Sequence, residues 1–262
     1  MKTLIDRLRQ PKAIRMEFQP IVRVTPARFE LYALEALARG PEGSSVARPD
    51  ILFEYARRKG EESAVDLICV AEALSASAVI PQRPMLSINI HGATLANVDK
   101  VADQLLEAAA TYGIAPGQLM LEIVEHRASW AIETFRATLE TLRDAGVRIA
   151  VDDLGAGASN YRMIVDCRPD HLKVDRHVVH GCSRDPWRRA VLQSIVTLAN
   201  ACDATPIAEG IEDTADLDVL LDLGINTVQG WLFARSLSAD ELANSALFDP
   251  AAIAHRLKGR NA

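Results

Sequence analysis

Short apolar runs alternate with amphipathic stretches along almost the whole chain, the pattern expected when helices pack around a mainly parallel sheet. Each short apolar run is the length of a strand, and together they predict eight strands. These predicted strands cover residues 17–24, 29–38, 85–90, 118–124, 147–151, 171–174, 205–208 and 225–228.

The amphipathic stretches predict helices at 50–59, 61–77, 95–112, 131–145, 187–202, 214–223 and 239–258. Only residues 25–28 separate the first two strands, too few for a crossover helix, so we expect an antiparallel hairpin there. The predicted fold class is α/β: a modified TIM (β/α)8 barrel with an antiparallel first strand. A doubly wound open sheet is the alternative, but its Gly-x-Gly-x-x-Gly turn does not follow the first strand. No linker interrupts the series, so residues 1–262 are expected to form a single domain with its core at about 14–247.

Composition and charge narrow the class of protein. The chain is 49% hydrophobic and 24% charged, which is enough to bury a full core. Acids outnumber bases by 35 to 29, giving a net charge of −6, so direct binding of nucleic-acid polymers is not expected. No apolar stretch approaches the roughly 18 residues that span a membrane, and the N-terminus has no signal-peptide core. A cytoplasmic location is therefore predicted.

The most informative motif is the pair Asp152-Asp153, which closes the apolar run 147–151 and precedes a glycine-rich turn. Side chains alternate along a strand, so two consecutive acids converge only where a strand stops and the backbone turns. We therefore predict that the strand ends at Val151 and that the acidic pair lies beyond it. The sequence Asp-Asp-X-Gly is also common in ordinary turns, so this motif alone does not identify a site. Polar residues at the ends of the other predicted strands provide the further support.

Polar residues close most of the other predicted strands as well. In a β/α barrel the active site lies at the carboxyl ends of the strands, so these residues are expected to share one mouth. They are Glu35, Asn89, Glu122, Glu125, Lys173, Asp175, Glu209, Glu212 and Gln229.

Oxygen donors without a cluster of Cys or His favour hard cations, so Mg²⁺ or Mn²⁺ is predicted in preference to zinc or copper. Two ions roughly 3.5–4 Å apart would absorb the acidic charge and form the clamp used for displacement at phosphorus. Lys173 is predicted to hold or deprotonate the attacking water. The chemistry implied by this set is hydrolysis of a phosphodiester.

Each of these residues, taken singly, has a structural alternative. Glu35 could pair with Arg39, and Asn89 could form a turn. Glu125 could begin a helix, and Lys173 could be a solvated strand end. Only the recurrence of acids and amides at successive strand ends argues for a site.

Two other features have simpler interpretations. The four cysteines are far apart and lack Cys-x-x-Cys spacing, so reduced core thiols are expected in place of a zinc site or a disulfide framework. Trp231 could stack on a base or pack at the rim of the barrel.

The residues collected so far resemble the EAL domain family, the cyclic di-GMP phosphodiesterases named for the Glu-Ala-Leu that stands here as Glu35-Ala36-Leu37. The match covers almost the entire chain, from Phe18-Gln19-Pro20 to Gln229-Gly230-Trp231, in the family's order. The resemblance implies a modified TIM barrel and hydrolysis of cyclic di-GMP to linear 5′-pGpG by a water that two Mg²⁺ or Mn²⁺ ions activate.

Carried over position by position, the resemblance also implies the metal ligands. The first metal would be held by Glu35, Asn89, Glu122 and Asp152. The second would be held by Asp152, Asp153 and Glu209.

The remaining implied roles concern the water, the substrate and a loop. Lys173 is similar to the lysine that contacts the attacking water. Glu125 resembles the glutamate that steadies the loop after the acidic pair and is counted with the catalytic residues. The substrate side of the site would consist of Gln19, Arg39, Asp175 and Gln229.

The chain departs from the family's pattern behind these ligands. Leu154 and Ala158 stand where the family usually has an aromatic residue and a tyrosine, and His91 stands where serine is frequent. We therefore expect the order of the loop 154–161 to depend more on Glu125 and on a contact between two copies of the chain.

Two functions remain open at this point: hydrolysis, or a module that binds cyclic di-GMP or a protein partner without turnover. Degenerate relatives lack the glutamate of Glu-Ala-Leu or one aspartate of the acidic pair. This chain keeps Glu35 and both aspartates, which favours hydrolysis. A different nucleotide substrate also stays open, because base selection rests on loops such as 41–49.

Assembly and regulation are expected to involve other chains. The resemblance implies a homodimer, because the family tends to dimerise through elements next to the acidic pair. The segment 166–189 carries apolar residues that would suit such a contact and look exposed, Val178, Val179 and Trp187. The sequence shows no sensory module, so regulation by a separate protein is expected unless the chain is part of a longer one.

Overall fold

A computed structural model describes residues 4–8, 10, 13–26, 28–124, 131–156 and 161–245. The strands are β1 (Arg15–Val24), β2 (Phe29–Arg39), β3 (Met85–His91), β4 (Leu119–Val124), β5 (Arg148–Leu154), β6 (His171–Val174), β7 (Thr205–Ala208), β8 (Thr227–Gln229) and β9 (Leu237–Ser238). The helices are α1 (Leu4–Leu8), α2 (Pro49–Lys59), α3 (Glu62–Ser77), α4 (Gly92–Asn97), α5 (Val101–Thr111), α6 (Ile132–Asp144), α7 (Tyr161–Cys167), α8 (Arg176–Val179), α9 (Pro186–Ala201), α10 (Thr214–Asp222) and α11 (Ala239–Ala243).

Strands β1 to β8 close into a barrel, which confirms the predicted fold class. Strands β2 to β8 are parallel, and β1 is antiparallel to both of its neighbours, β2 and β8. The short connection after Val24 forces the predicted hairpin. One edge of β1 pairs with β2, while the other pairs with β8 near Val22 and with β9 near Phe18. The antiparallel strand therefore completes the barrel and ties the segment after β8 to it.

The longer helices lie outside the barrel and bury one apolar face each. Phe135, Leu139 and Leu142 recur at helical spacing on α6 and are almost completely buried. Such a stripe at i, i+4 and i+7 faces the sheet while the opposite face meets water. The apolar core consequently lies between the strands and the helix layer, and the barrel interior is left for a second set of side chains.

The predicted helix 95–112 is wrong in one respect, because the structure breaks it into α4 and α5. Val98 is extended, Lys100 is left-handed at φ 51°, and the helix resumes at Val101. The Val98 side chain packs against the core from this extended position. Tertiary packing at the break outweighs the local helical periodicity.

Several short elements were not predicted from the sequence, namely α1, α7, α8 and β9. They are too short to show a periodic pattern. The predicted C-terminal helix begins correctly at Ala239, but α11 ends at Ala243, and residues 246–262 lie outside the described part of the chain. Three of the cysteines are buried as expected, whereas Cys202 is exposed. Within the described residues, no helix has both the length and the apolar character needed to cross a bilayer.

The segments after β7 and β8 approach each other very closely. The Ile211 backbone donates to the Gln229 carbonyl at 3.1 Å and accepts from the Leu232 amide at 3.0 Å. A Cβ atom on Gly230 would lie 2.1 Å from the Ile211 carbonyl oxygen, so only glycine fits.

Gly230→Ala should lower the melting temperature by about 2–10 °C, because overpacking against backbone costs about 1–3 kcal/mol. Thermal unfolding followed by circular dichroism measures the shift. Gly117→Ala is the matched control, since its Cβ would have its nearest neighbour, the Gly146 oxygen, at 4.0 Å. Equal melting temperatures for the two variants would contradict this account of the close approach.

Candidate functional site

The interior of the barrel changes from apolar to polar within a single pleat of the strands. A small apolar layer fills its middle and is formed by Ile21, Ala33, Met120, Ala150 and Ile207. Strand side chains alternate, so the residues two positions nearer the mouth point to the same interior. Those residues are Gln19, Glu35, Glu122, Asp152 and Glu209. The candidate site is thus the uppermost layer of the barrel core.

The acidic pair enters this layer through a bulge and not through a turn. The prediction that the strand ends at Val151 is wrong, because β5 continues to Leu154. Val151 pairs with Leu172 and Leu154 with Val174, so two residues, Asp152 and Asp153, face the single Lys173.

The bulge places Asp153 in the left-handed region at φ 57°. Aspartate tolerates this conformation better than most residues, because its short polar side chain forms local hydrogen bonds. The alternation of side chains is interrupted at this point, so consecutive carboxylates can reach one site without the strand ending.

Lys173 is the only lysine or arginine among the described residues to contact these acids, and it lies at their centre with 1% of its side chain exposed. Its Nζ lies 2.5 Å from Glu122 Oε2 and 2.6 Å from Glu209 Oε1. It lies 3.5 Å from Glu35 Oε2 and from Asp152 Oδ1. One ammonium therefore links carboxylates that come from four different strand ends.

Amide side chains hold Glu35 on its other side. Asn89 Nδ2 donates to Glu35 Oε1 at 3.0 Å, and Gln229 Nε2 donates to Glu35 Oε2 at 2.6 Å. The same Gln229 nitrogen donates to Gln19 Oε1 at 3.1 Å, which links β8, β1 and β2. The Gln229 amide oxygen is buried and accepts no hydrogen bond from the described residues. The carboxylate is thereby fixed in one orientation while a buried acceptor remains beside it.

Ser87 is a polar residue of this layer that the sequence analysis did not select. It is fully buried, and its hydroxyl donates to the Glu122 carboxylate. Ser87 precedes Asn89 by two positions on β3, so the alternation of the strand was a signal that could have found it.

The pKa values show how much negative charge the layer carries. Burial and the Glu35 charge raise the pKa of Glu122 to about 8. Burial and the Asp152 charge raise the pKa of Asp153 to about 6. Burial would raise the pKa of Glu35 too, but the Lys173 charge and the hydrogen bonds from the amides hold it below its usual value. A single ammonium does not balance these carboxylates, so protons or further cations are favoured.

Lys173 itself remains charged in this environment. Burial alone would lower the pKa of Lys173, but Asp152 and the other surrounding carboxylates raise it well above its usual value. The group is accordingly a hydrogen-bond donor here.

The donor set fits a hard divalent cation. Oxygen atoms of Asp152, Asp153 and Glu209 lie within 4.8 Å of one another, close enough to share one ion. Carboxylate ligands of this kind suit Mg²⁺, Mn²⁺ or Ca²⁺.

The residues predicted to face a substrate lie at different depths. Gln19 belongs to the layer itself, whereas Arg39 lies at the rim, where its Nη2 pairs with Glu17 Oε2 at 2.8 Å. Asp175 accepts a hydrogen bond from the His177 amide at 2.7 Å and so caps α8. Glu125 and Ala158 lie outside the described residues.

The expectation about exposed apolar residues after Asp166 is wrong for two of the three. Val178 is 6% exposed and Val179 is fully buried, because they form the inner face of α8. Trp187 at the start of α9 is 81% exposed, as expected. The sequence does not show whether these two valines are buried or exposed, because that depends on how the four-residue helix α8 packs against the core.

Comparison with known proteins identifies similarity over most of the chain. The family model described as EAL domain matches residues 3–236. The oxygen sensor protein DosP of Escherichia coli K12 is 28% identical over 235 residues, which cover 87% of this chain and 29% of DosP. The probable cyclic di-GMP phosphodiesterase PdeB of the same strain is 27% identical over 232 residues, covering 87% of this chain and 43% of PdeB. The chain thus spans less than half the length of these two relatives.

A solved structure shares the fold. The manganese and cyclic di-GMP complex of Klebsiella pneumoniae BlrP1 at pH 9.0 superimposes with a TM-score of 0.77 at 27% identity. The superposition covers 88% of this chain and 57% of that chain.

Lys173→Met should destabilise the protein by about 3–5 kcal/mol at pH 8, because it leaves buried carboxylates without their counter-charge. A carboxyl group whose pKa is raised by folding contributes stability at low pH and loses it as the pH rises through the folded pKa. Burial would raise the pKa of Glu35 once the lysine is removed, whereas Lys173 holds that pKa below its usual value in wild type, so the loss relative to wild type should grow between about pH 5 and pH 8. Thermal unfolding across this range in the presence of a chelator measures it.

Added Mn²⁺ should restore part of the stability of Lys173→Met by supplying positive charge to the same carboxylates. Lys59→Met removes an exposed lysine from α2 and serves as the control, and its dependence on pH and on Mn²⁺ should match that of wild type. Equal pH profiles for the two variants would contradict the central role of Lys173.

Proposed function

Since this chain belongs to the EAL domain family, we propose that it hydrolyses cyclic di-GMP to linear 5′-pGpG with the help of Mg²⁺ or Mn²⁺. The observation that carries the proposal is the complete acidic layer around Lys173, to which Glu35, Glu122, Asp152 and Glu209 all contribute. The names of two similar proteins support the substrate, because PdeB is a probable cyclic di-GMP phosphodiesterase and BlrP1 was crystallised with cyclic di-GMP.

The proposed cations would be held by the carboxylates and one amide of the layer. The first would bind Glu35, Asn89, Glu122 and Asp152, and the second would bind Asp152, Asp153 and Glu209. The close approach of the last three carboxylates supports the second set. When bound, two such cations polarise a phosphoryl oxygen and lower the pKa of water.

Lys173 would act on the attacking water as a donor. Its Nζ lies within 2.6 Å of both Glu122 and Glu209, so two carboxylates set its position. An ammonium fixed in this way donates a hydrogen bond to a lone pair of the water and so orients it. Glu35 and Glu209 would complete the catalytic set as carboxylates that hold the cations.

The substrate would lie across the rim above this layer. Arg39 offers a guanidinium to a phosphate oxygen, which suits its planar set of donors. Gln19 and Gln229 form a hydrogen-bonded pair that would contact the nucleotide from the β1 and β8 side. Asp175 at the start of α8 would contact it from the β6 side of the mouth. Glu125 is proposed to steady the loop that follows the acidic pair.

We further propose that two copies of the chain associate through the surface that carries Trp187. Tyr161 and Val165 on α7 are 60% and 67% exposed, and Trp187 on α9 is 81% exposed. Large apolar side chains at this degree of exposure favour burial in a contact. Val178 and Val179 are excluded from that contact because they belong to the core.

Incubation with cyclic di-GMP and Mn²⁺ should yield 5′-pGpG, detected by chromatography, and excess chelator should abolish the product. Ca²⁺ should suppress turnover, because its longer bonds and looser coordination suit a two-ion clamp poorly. Full turnover in chelator would contradict the metal mechanism. Binding of cyclic di-GMP without product would instead favour the non-catalytic module.

Asp152→Asn and Glu35→Gln should each lower kcat by at least about a thousandfold while the protein stays folded, since each removes the charge of a proposed ligand. Glu133→Gln on the exposed start of α6 provides a control for loss of one carboxylate. A near-normal rate in either site variant would remove that residue from the proposed ligands.

Trp187→Ser should shift the protein from dimer to monomer in light scattering, because it removes a large apolar side chain that is 81% exposed in the single chain and would be buried in the contact. Val79→Ser, which alters an apolar residue 60% exposed outside α7 and α9, should leave the molecular mass unchanged. A wild-type protein that is monomeric at every concentration would contradict the proposed contact.

A further inference from the structure

Arg39 and Glu17 occupy the rim directly above the acidic layer. Residues 35, 37 and 39 share one face of β2, because side chains alternate along a strand. On the paired strand β1, Gln19 lies opposite Glu35, and Glu17 lies opposite Leu37. Glu17 and Arg39 are therefore diagonal neighbours, one to two pleats closer to solvent than the Gln19 and Glu35 pair.

A closed set of polar contacts holds the Arg39 guanidinium in place. Arg39 Nη2 lies 2.8 Å from Glu17 Oε2 and donates to Ser236 Oγ at 3.2 Å. The Ser236 hydroxyl in turn donates to the same Glu17 oxygen at 2.6 Å. Arg39 Nη1 donates to the carbonyl of Ala38 at 3.1 Å. Both Nη2 hydrogens and one Nη1 hydrogen are engaged, so the Nε hydrogen and the second Nη1 hydrogen remain as donors among these contacts.

The backbone around Ser236 is fixed independently of this contact. The strand β9 begins at the next residue and pairs Leu237 with Phe18 on β1. Upstream, the Ala234 carbonyl accepts a hydrogen bond from Gln19 at 3.2 Å. Ser236 thus lies between two points at which its segment is attached to β1, and its hydroxyl has a defined position.

We propose that Glu17 and Ser236 are positioning residues that set the orientation of Arg39 for a substrate phosphate. The inference rests on the proposed function. Arginine has four rotatable side-chain bonds, and ordering them when a ligand binds weakens binding. The Glu17 and Ser236 contacts order the side chain before the ligand arrives. The pair is only partly buried, at 26% and 35% exposure, so substrate has access to the guanidinium.

The same geometry has an opposite interpretation that makes a different prediction. A carboxylate beside the guanidinium could compete with the phosphate for Arg39, and its removal would then tighten binding. Positioning requires that removal of the Glu17 charge weakens binding. The sign of the change in KM therefore separates the two interpretations.

The test compares Glu17→Gln and Ser236→Ala with wild type in cyclic di-GMP hydrolysis with Mn²⁺. Each variant should raise KM about three- to tenfold, the range expected when one side chain must be ordered on binding. The kcat and the Mn²⁺ midpoint should stay unchanged, since neither residue contacts the acidic layer. Ser236→Thr keeps a hydroxyl and should restore the wild-type KM. Glu30→Gln is the control, because it removes a carboxylate paired with Arg28 on the same hairpin.

A double-mutant comparison shows whether the effect passes through Arg39. In an Arg39→Ala background, Glu17→Gln should have no further effect on KM. An undiminished effect in that background, or an unchanged or lower KM in Glu17→Gln alone, would overturn the inference.

The proposed function and this inference fail in different ways. If wild type hydrolyses cyclic di-GMP and the variants match it, only the inference is overturned. If wild type binds cyclic di-GMP without turnover, Kd from calorimetry replaces KM and the expected three- to tenfold change is the same. If wild type neither hydrolyses nor binds cyclic di-GMP, the proposed function is overturned and the inference with it.

Discussion

The buried ammonium of Lys173 is the interaction on which the upper half of the barrel depends. Burying one charge requires a partner, and burying several like charges together is tolerated only if something of opposite sign lies between them. Lys173 meets that requirement for carboxylates from β2, β4, β5 and β7 at once. A barrel is well suited to this task, because strands far apart in sequence end around one axis.

The amide and hydroxyl side chains around this cluster explain why it holds a defined geometry. Gln229 and Asn89 each donate to a different oxygen of Glu35, and Ser87 donates to Glu122. Neutral donors of this kind orient a carboxylate without cancelling its charge. The cluster therefore has a defined geometry and, with one ammonium among several carboxylates, stays negatively charged, a combination that favours binding of a hard cation.

Much of the fold and of the site could be predicted from the sequence. The strands are visible as short apolar runs, and the polar residues that end those runs can be identified as candidate site residues. The hairpin followed from the shortness of the segment after Val24. The bulge at Asp153 could not be predicted, since a left-handed residue depends on pairing with β6. The break at Val98 depends on packing, and the buried side of α8 depends on the placement of Val178 against the core. The local pattern of apolar and polar residues determines which helices and strands form. Contacts between those elements determine where they break or bulge and which of their faces is buried.

The reversed direction of β1 has a mechanical consequence for the molecule. In an all-parallel barrel the chain enters its first strand at the end opposite to the mouth. Here Arg15, the first residue of β1, pairs with Arg39, the last residue of β2, so the chain enters beside the mouth. Glu17 follows Arg15 by only two residues, so a force applied to the segment before Arg15 acts on the chain close to Glu17. Strain arriving from that side reaches the mouth before it reaches the rest of the barrel.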